Sequence, residues 1–160
     1  VEKLAPVPGS ACLYFYRRCV VEYILRKDFF FESAHWLPFV AEDHKCRRTH
    51  GHSYRYTIEL SSNKLDEKGM VVDYKEISHC ANGTITNVLD HKLLNEYIEN
   101  PTAENICIYI ANVFKHEFRM NYYRPTHPWF KGRDRRITLR AVEVSETRKT
   151  NCRVEFMEVL

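Results

Sequence analysis

The stretch Cys46-Arg47-Arg48-Thr49-His50-Gly51-His52 concentrates residue types that can do chemistry. His50 and His52 stand two apart at the start of an alternating segment. In a β-strand that spacing sends both imidazoles to one face. Gly51 leaves the opposite side open to a close backbone or ligand. His35 ends the preceding aromatic segment, and pairing the two segments as neighbouring strands brings it to the same place. Three imidazoles with no fourth protein ligand is the arrangement of a catalytic zinc, whose remaining position goes to water or substrate. A single histidine at a strand end would read as an ordinary polar residue; the His-x-His pair with a third His turns the reading toward a metal. Cys46 admits three readings that the residues leave equal. It is a fourth ligand closing a structural site, a buried inert thiol, or a thiolate base or nucleophile favoured by the cationic Lys45, Arg47 and Arg48.

Two further groups carry titratable side chains. In Leu89-Asp90-His91 a carboxylate beside an imidazole can fix its tautomer and stabilise its protonated form. On the residues alone, Asp90 reads first as the cap of a short helical turn over HKLLNEY. Glu146 lies near the end of a strand whose alternate positions include Val142 and Val144, so it needs a partner. A salt bridge is the commoner solution. The other is a ligand, since a carboxylate accepts two parallel hydrogen bonds and matches the amino and ring N–H edge of a pterin or guanine. His44, His79, His116 and His127 read as surface or satisfied histidines.

These residues need elements to position them. LRKDFFFESAH, from Leu25, reads as an aromatic-rich strand. HSYRYTIEL alternates, with His52, Tyr54, Tyr56, Ile58 and Leu60 on one face, and predicts a half-buried strand. SSNKLDEKG is a polar loop ending at Gly69, and MVV reads as a short strand. Asp73 with Glu76 three residues on has capping-box spacing. Ile77, Ala81, Ile85 and Val88 then continue one helix, weakened at Gly83. Thr102 is the expected N-cap of a second helix striped by Ile106, Ile110, Val113 and Phe114. ITLRAVEVSE and CRVEFMEV predict two last strands joined by the turn TRKTN. Strands in sequential pairs around grouped helices predict an α+β fold with an antiparallel sheet and both helices on one face.

The 160 residues suit one domain. A net charge of +3 is too mild to argue for nucleic acid and suits an anionic small substrate. No apolar run approaches the ~20 residues of a membrane span. The six scattered cysteines, without a CxxC pair, read as reduced thiols of a cytoplasmic protein. Residues 1–22 read as an N-terminal extension, flexible or artefactual, and 23–160 as the one domain that carries these clusters.

FESAH-x-LP, HKC-xxx-HGH, GMVVDY, LDH-xx-LN, NPTAEN and VSET follow one another in this order. The order resembles that of the 6-pyruvoyltetrahydropterin synthase and 6-carboxytetrahydropterin synthase superfamily, over about residues 26–118 and 138–157. Four residues from Cys46 to His50, and NPTAEN, are similar to the 6-carboxytetrahydropterin synthase branch, which serves queuosine and 7-deazaguanine synthesis. The resemblance implies that His35, His50 and His52 bind Zn2+ and that Cys46 is the catalytic base. It implies a dyad of Asp90 and His91 supplied by a neighbouring subunit, Glu146 as the pterin anchor, and Thr102 and Glu104 near the pterin. The implied fold is the T-fold, a four-stranded antiparallel sheet with two helices on one face, assembled into an oligomeric barrel, usually a homohexamer. The implied reaction is a lyase conversion of 7,8-dihydroneopterin triphosphate to 6-carboxytetrahydropterin, acetaldehyde and triphosphate, with Lys45, Arg47, Arg48 and Lys92 as candidate phosphate contacts. The sister reaction keeps the side chain as 6-pyruvoyltetrahydropterin.

The chain departs from the pattern at Trp36, where relatives often carry Arg, and in residues 1–22. The basic, aromatic segment of about 119–136 is longer than the usual link. A distant alternative reads that insertion, with Tyr122, Tyr123, Trp129 and Phe130 among arginines, as a single-stranded nucleic-acid surface on a non-catalytic zinc module. A loop or subunit-contact insertion is the plainer reading.

Overall fold

The structure, a computed structural model, describes residues 21–122 and 137–156. Strand β1 (Tyr23–His35) pairs antiparallel with β2 (His50–Ser62), and β2 pairs with β4 (Thr138–Thr147), which pairs with β5 (Thr150–Glu155). The sheet has five strands rather than four. The fifth, β3 (Lys92–Leu93), is two residues long and lies parallel to β1 at the edge, giving the order β3-β1-β2-β4-β5.

Helix α1 (Tyr74–Ala81) starts at Asp73, whose side chain accepts from Lys75 N at 2.8 Å. The expected single helix does not run on unchanged. A π-helical stretch, Asn82–Thr86, follows, and Asn87–Leu89 then return to α geometry. Gly83, the weak point of the periodic run, lies within the π stretch. There Thr84 Oγ1 donates to the Cys80 carbonyl and Thr86 Oγ1 meets the buried Tyr56 hydroxyl at 2.9 Å. Helix α2 (Ala103–Tyr122) runs four residues into the expected insertion; 123–136 lie outside the described residues, as do 1–20.

MVV is not a strand. Val71 and Val72 are buried against the core without a ladder, after a turn closed by Gly69 at φ +79°. The core lies on one face of the sheet. Phe29, Phe31, Tyr54, Tyr56, Ile58 and Leu60 meet Ile77 and Ile85 from the α1 side and Ile106, Ile110 and Phe114 from α2. Phe31 stacks on Tyr54 with centroids 4.8 Å apart, and Phe29 on Tyr56 at 5.0 Å. Each such buried ring contributes about 2 kcal/mol through area alone.

The alternation of β2 holds as far as Tyr56. From Thr57 onward both faces are buried. The outward Glu59 is 3% exposed, yet Arg153 grips it with two bonds of 2.7 and 3.0 Å. Arg140 at 3.2 Å and Arg26 at 3.6 Å complete the cage. A buried carboxylate is tolerated on these terms, with its oxygens paired. Arg140 occupies a bulge between β4 and β2, which turns it onto Glu59.

Candidate metal and substrate site

The register of β1 and β2 sets His35 opposite His50 and Ser33 opposite His52. The three ring centroids stand 4.6, 5.0 and 5.1 Å apart, and one ligand nitrogen from each ring lies within 4.8 Å of the others. Backbone carbonyls hold two of the rings from behind: Pro101 O is 2.8 Å from His35 Nδ1, and Arg48 O is 2.8 Å from His50 Nδ1. A carbonyl only accepts, so each Nδ1 carries its proton and each Nε2 presents a lone pair. His35 is 2% exposed, and its Nε2 has no hydrogen-bond partner. Burial pushes the His35 and His52 imidazoles below the ordinary histidine range and favours the neutral, ligating form. An unpaired buried ring nitrogen aimed at two other imidazoles fits a divalent metal.

The supports of this cluster come from distant segments. Asn95, just beyond β3, clamps the chain after His35: its Oδ1 accepts from Trp36 N at 3.0 Å and its Nδ2 donates to Trp36 O at 2.8 Å. Thr102 caps α2, with Oγ1 accepting from Asn105 N at 3.4 Å, so the helix start fixes the neighbouring Pro101 carbonyl that holds His35. Glu104 is exposed in the first turn of α2. Spacing alone did not reveal the roles of Asn95 and Pro101, because both are contacts across more than 50 residues.

Cys46 lies in a 3-10 turn, Lys45–Arg47, capped by His44, and its carbonyl accepts from Leu37 N at 2.8 Å. Among the described residues the three histidines gather their ligand nitrogens and the Cys46 sulfur is not in that group. The Arg47 guanidinium binds the Pro38 and Val40 carbonyls and fastens this loop rather than standing free for phosphate. His79 and His116 are exposed, as expected, and His127 lies outside the described residues.

Asp90 does not cap the turn that follows it; Leu93 occupies that position. Its Oδ1 instead accepts from Glu32 N at 2.8 Å, and its Oδ2 lies 2.9 Å from His91 Nδ1. The Glu32 amide holds the Asp90 carboxyl below the usual carboxylate range. His91 takes φ +57°, its amide donates to Glu32 O, and its side chain is 79% exposed. Glu146 has no ion pair among the described residues. It is the extra residue of a bulge between Ser145↔Asn151 and Thr147↔Thr150, a distortion that re-aims a side chain.

Two clefts meet at Gly51, His52 and Ser53. One, of about 630 Å³, includes Glu146, Arg55 and Phe30; the other, of about 530 Å³, includes His91 and Lys92. A Cβ on Gly51 would stand 3.4 Å from the Ser33 carbonyl oxygen.

The family model described as 6-pyruvoyl tetrahydropterin synthase matches residues 24–157. A putative 6-carboxy-5,6,7,8-tetrahydropterin synthase of Archaeoglobus fulgidus is 41% identical over 80 residues, 50% of this chain and 65% of that protein, just under two thirds of its length. The 6-carboxy-5,6,7,8-tetrahydropterin synthase of Synechocystis sp. is 39% identical over 94 residues, 55% of this chain and 71% of that protein. The 6-pyruvoyl tetrahydropterin synthase structure of Caenorhabditis elegans superimposes with a TM-score of 0.66 at 21% identity, covering 86% of this chain and 97% of that one. That likeness extends the fold beyond the sequence match and agrees with the T-fold. With the metal-type histidine cluster set into this sheet and the match spanning nearly all of it, the chain belongs to the 6-pyruvoyl tetrahydropterin synthase family.

Proposed function

We propose that the protein is a zinc-dependent lyase converting 7,8-dihydroneopterin triphosphate and water to 6-carboxy-5,6,7,8-tetrahydropterin, acetaldehyde and triphosphate. The observation that carries the reading is the trio of ligand nitrogens within 4.8 Å, with the buried His35 Nε2 unpaired. The two relatives above, named for that product, support the branch.

His35, His50 and His52 would hold the zinc, which supplies Lewis acidity toward an oxygen of the substrate side chain. Glu146 accepts the amino and ring N–H edge of the pterin, with Thr102 and Glu104 as neighbouring contacts. Cys46 thiolate removes a carbon-bound proton from the side chain, and triphosphate leaves. His91 returns a proton through Nε2, since Asp90 occupies its Nδ1 at 2.9 Å. Water then enters as the carbon–carbon bond breaks. Reduction of the dihydropterin ring balances oxidation of the side-chain carbon to carboxylate, so no outside oxidant is needed.

The exposed dyad at the sheet edge suits a homo-oligomer, a hexameric barrel in which the Asp90–His91 pair of one subunit completes its neighbour's site. Lys92, beside His91, is the phosphate contact that the geometry favours over Arg47. Cys46, Cys80, Cys107 and Cys152 are all free thiols, in keeping with a cytoplasmic protein. Among the described residues no helix is long and apolar enough to cross a membrane.

The test is incubation of zinc-loaded protein with 7,8-dihydroneopterin triphosphate, mass spectrometry of the pterin and an acetaldehyde assay. A 6-carboxytetrahydropterin with stoichiometric acetaldehyde is expected. A 6-pyruvoyl product without acetaldehyde would move the protein to the sister reaction, and no turnover with metal bound would contradict both.

A further inference from the structure

The outward face of β1 presents Arg26, Asp28, Phe30 and Glu32 at alternate positions. On this charged row Phe30 is 66% exposed, the one large aromatic outward residue of the cleft that also holds His52 and Glu146. The register places Phe30 opposite Arg55 and Arg55 opposite Ser145, the residue before Glu146. Phe30 and Glu146 therefore stand two strands apart, about 10 Å at normal strand spacing. Arg55 does not cover the ring. Its guanidinium is occupied by polar partners on both sides, Asp28 at 3.9 Å, Glu143 at 3.4 Å and Ser145 Oγ at 3.2 Å. Among the described residues no aromatic or cationic group contacts the Phe30 ring.

A cleft with a carboxylate on one wall, a bare phenyl ring on the other and a metal-type histidine among its lining residues suits a flat bicyclic heteroaromatic ligand. We infer that Phe30 is a specificity-determining residue that stacks on the face of the pterin ring while Glu146 takes its edge. This rests on the functional reading above and adds a recognition contact to it. Stacking of a heteroaromatic base on an aromatic side chain is sequence-tolerant but depends on the π-face, so an aliphatic residue of similar size does not replace it. In this arrangement the ring lies in the Glu146 cleft, the reacting side chain passes Gly51 and His52, and the phosphates extend toward Lys92.

The test compares wild type with Phe30→Ala, Phe30→Leu and Phe30→Tyr, using turnover of 7,8-dihydroneopterin triphosphate, binding of neopterin by fluorescence titration and inhibition by inorganic tripolyphosphate. Phe30→Ala and Phe30→Leu are expected to raise KM and weaken neopterin binding by about tenfold. The same two variants should leave kcat within about twofold, because the contact serves ground and transition states alike. Phe30→Tyr should restore wild-type values, and tripolyphosphate inhibition should be unmoved in all three. If Phe30→Leu matches wild type, or tripolyphosphate inhibition falls in parallel with neopterin binding, the stacking assignment is overturned while the functional reading stands. If wild-type protein neither turns over the triphosphate nor binds neopterin, the functional reading itself fails and takes this inference with it.

Discussion

At the start of β2, His50 and His52 join His35; carbonyls secure one ring nitrogen of His35 and of His50, and a ligand nitrogen of each of the three rings faces the others. Farther along the same strand, on the opposite face, Glu59 is as buried as His35 but saturated, with bonds of 2.7 and 3.0 Å from Arg153 and further pairing from Arg140 and Arg26. Three buried side-chain polar atoms lack partners among the described residues: His35 Nε2, Tyr54 Oη and Asn100 Oδ1. All three sit in or beside the histidine cluster, since the Tyr54 ring packs edge-on against His52 and Asn100 precedes the Pro101 that holds His35. Burial without partners costs about 1–3 kcal/mol per neutral group. A fold that satisfies Glu59 so fully leaves this corner with the open ring nitrogens of a group that could hold a metal ion.

The largest expected effect comes from removing the machinery on the open side. Cys46→Ala should lower kcat by about 10³, equivalent to roughly 4 kcal/mol, while the protein keeps its metal. Full turnover by that variant would remove Cys46 from the mechanism. On the saturated side, Glu59→Leu should cost about 3 kcal/mol of stability, since it strands the arginines around a site built for a carboxylate. Denaturant unfolding reads that loss, and metal content at the histidines should not change. A coupled loss of metal would show that the two clusters are not independent.

Tyr54→Phe sharpens the contrast. It deletes a buried hydroxyl with no partner and keeps the stack on Phe31. It should stabilise the protein by about 1 kcal/mol in thermal or denaturant unfolding. Destabilisation instead would mean that the hydroxyl is satisfied in the assembled protein.

The smallest effect is in acid. Arg153 holds the Glu59 carboxyl below the usual carboxylate range. A depressed folded pKa contributes stability that is fully present above the ordinary glutamate value, 4.5, and is lost as pH falls through the folded value. Melting temperature should therefore fall more steeply below about pH 4.5 in wild type than in Glu59→Gln; parallel curves would contradict the assignment.

Much of the open side was legible in the sequence because it depends on short-range periodicity. His50-x-His52 on an alternating strand and His35 at the end of its neighbour required only period two and antiparallel pairing, and the structure pairs them so. The core stripe of α2 and the Asp73 cap were legible for the same local reason. What was not legible depends on contacts far apart in the chain or on single-residue irregularities. On the residues alone Asp90 reads as the cap of a turn, but the Glu32 amide 58 residues away captures one carboxylate oxygen while the other meets His91, the pair that the family resemblance implies. The two-residue strand β3 is too short to show a pattern. The three apolar residues Met70-Val71-Val72 look the same whether they join a ladder or merely pack. The π stretch and the Glu146 bulge each insert one residue, which periodicity reads as noise. The Glu59 cage was hidden because its arginines come from three different strands.

The measurement that tests the account most directly is zinc content per chain, by elemental analysis after dialysis, in wild type and in His52→Ala. One equivalent in wild type and a loss of affinity of at least 100-fold in the variant, with the fold intact by circular dichroism, are the predicted results. Wild-type protein that holds no divalent metal, or a His52→Ala protein that holds it equally well, would contradict the claim that this corner of the sheet is left open for a metal.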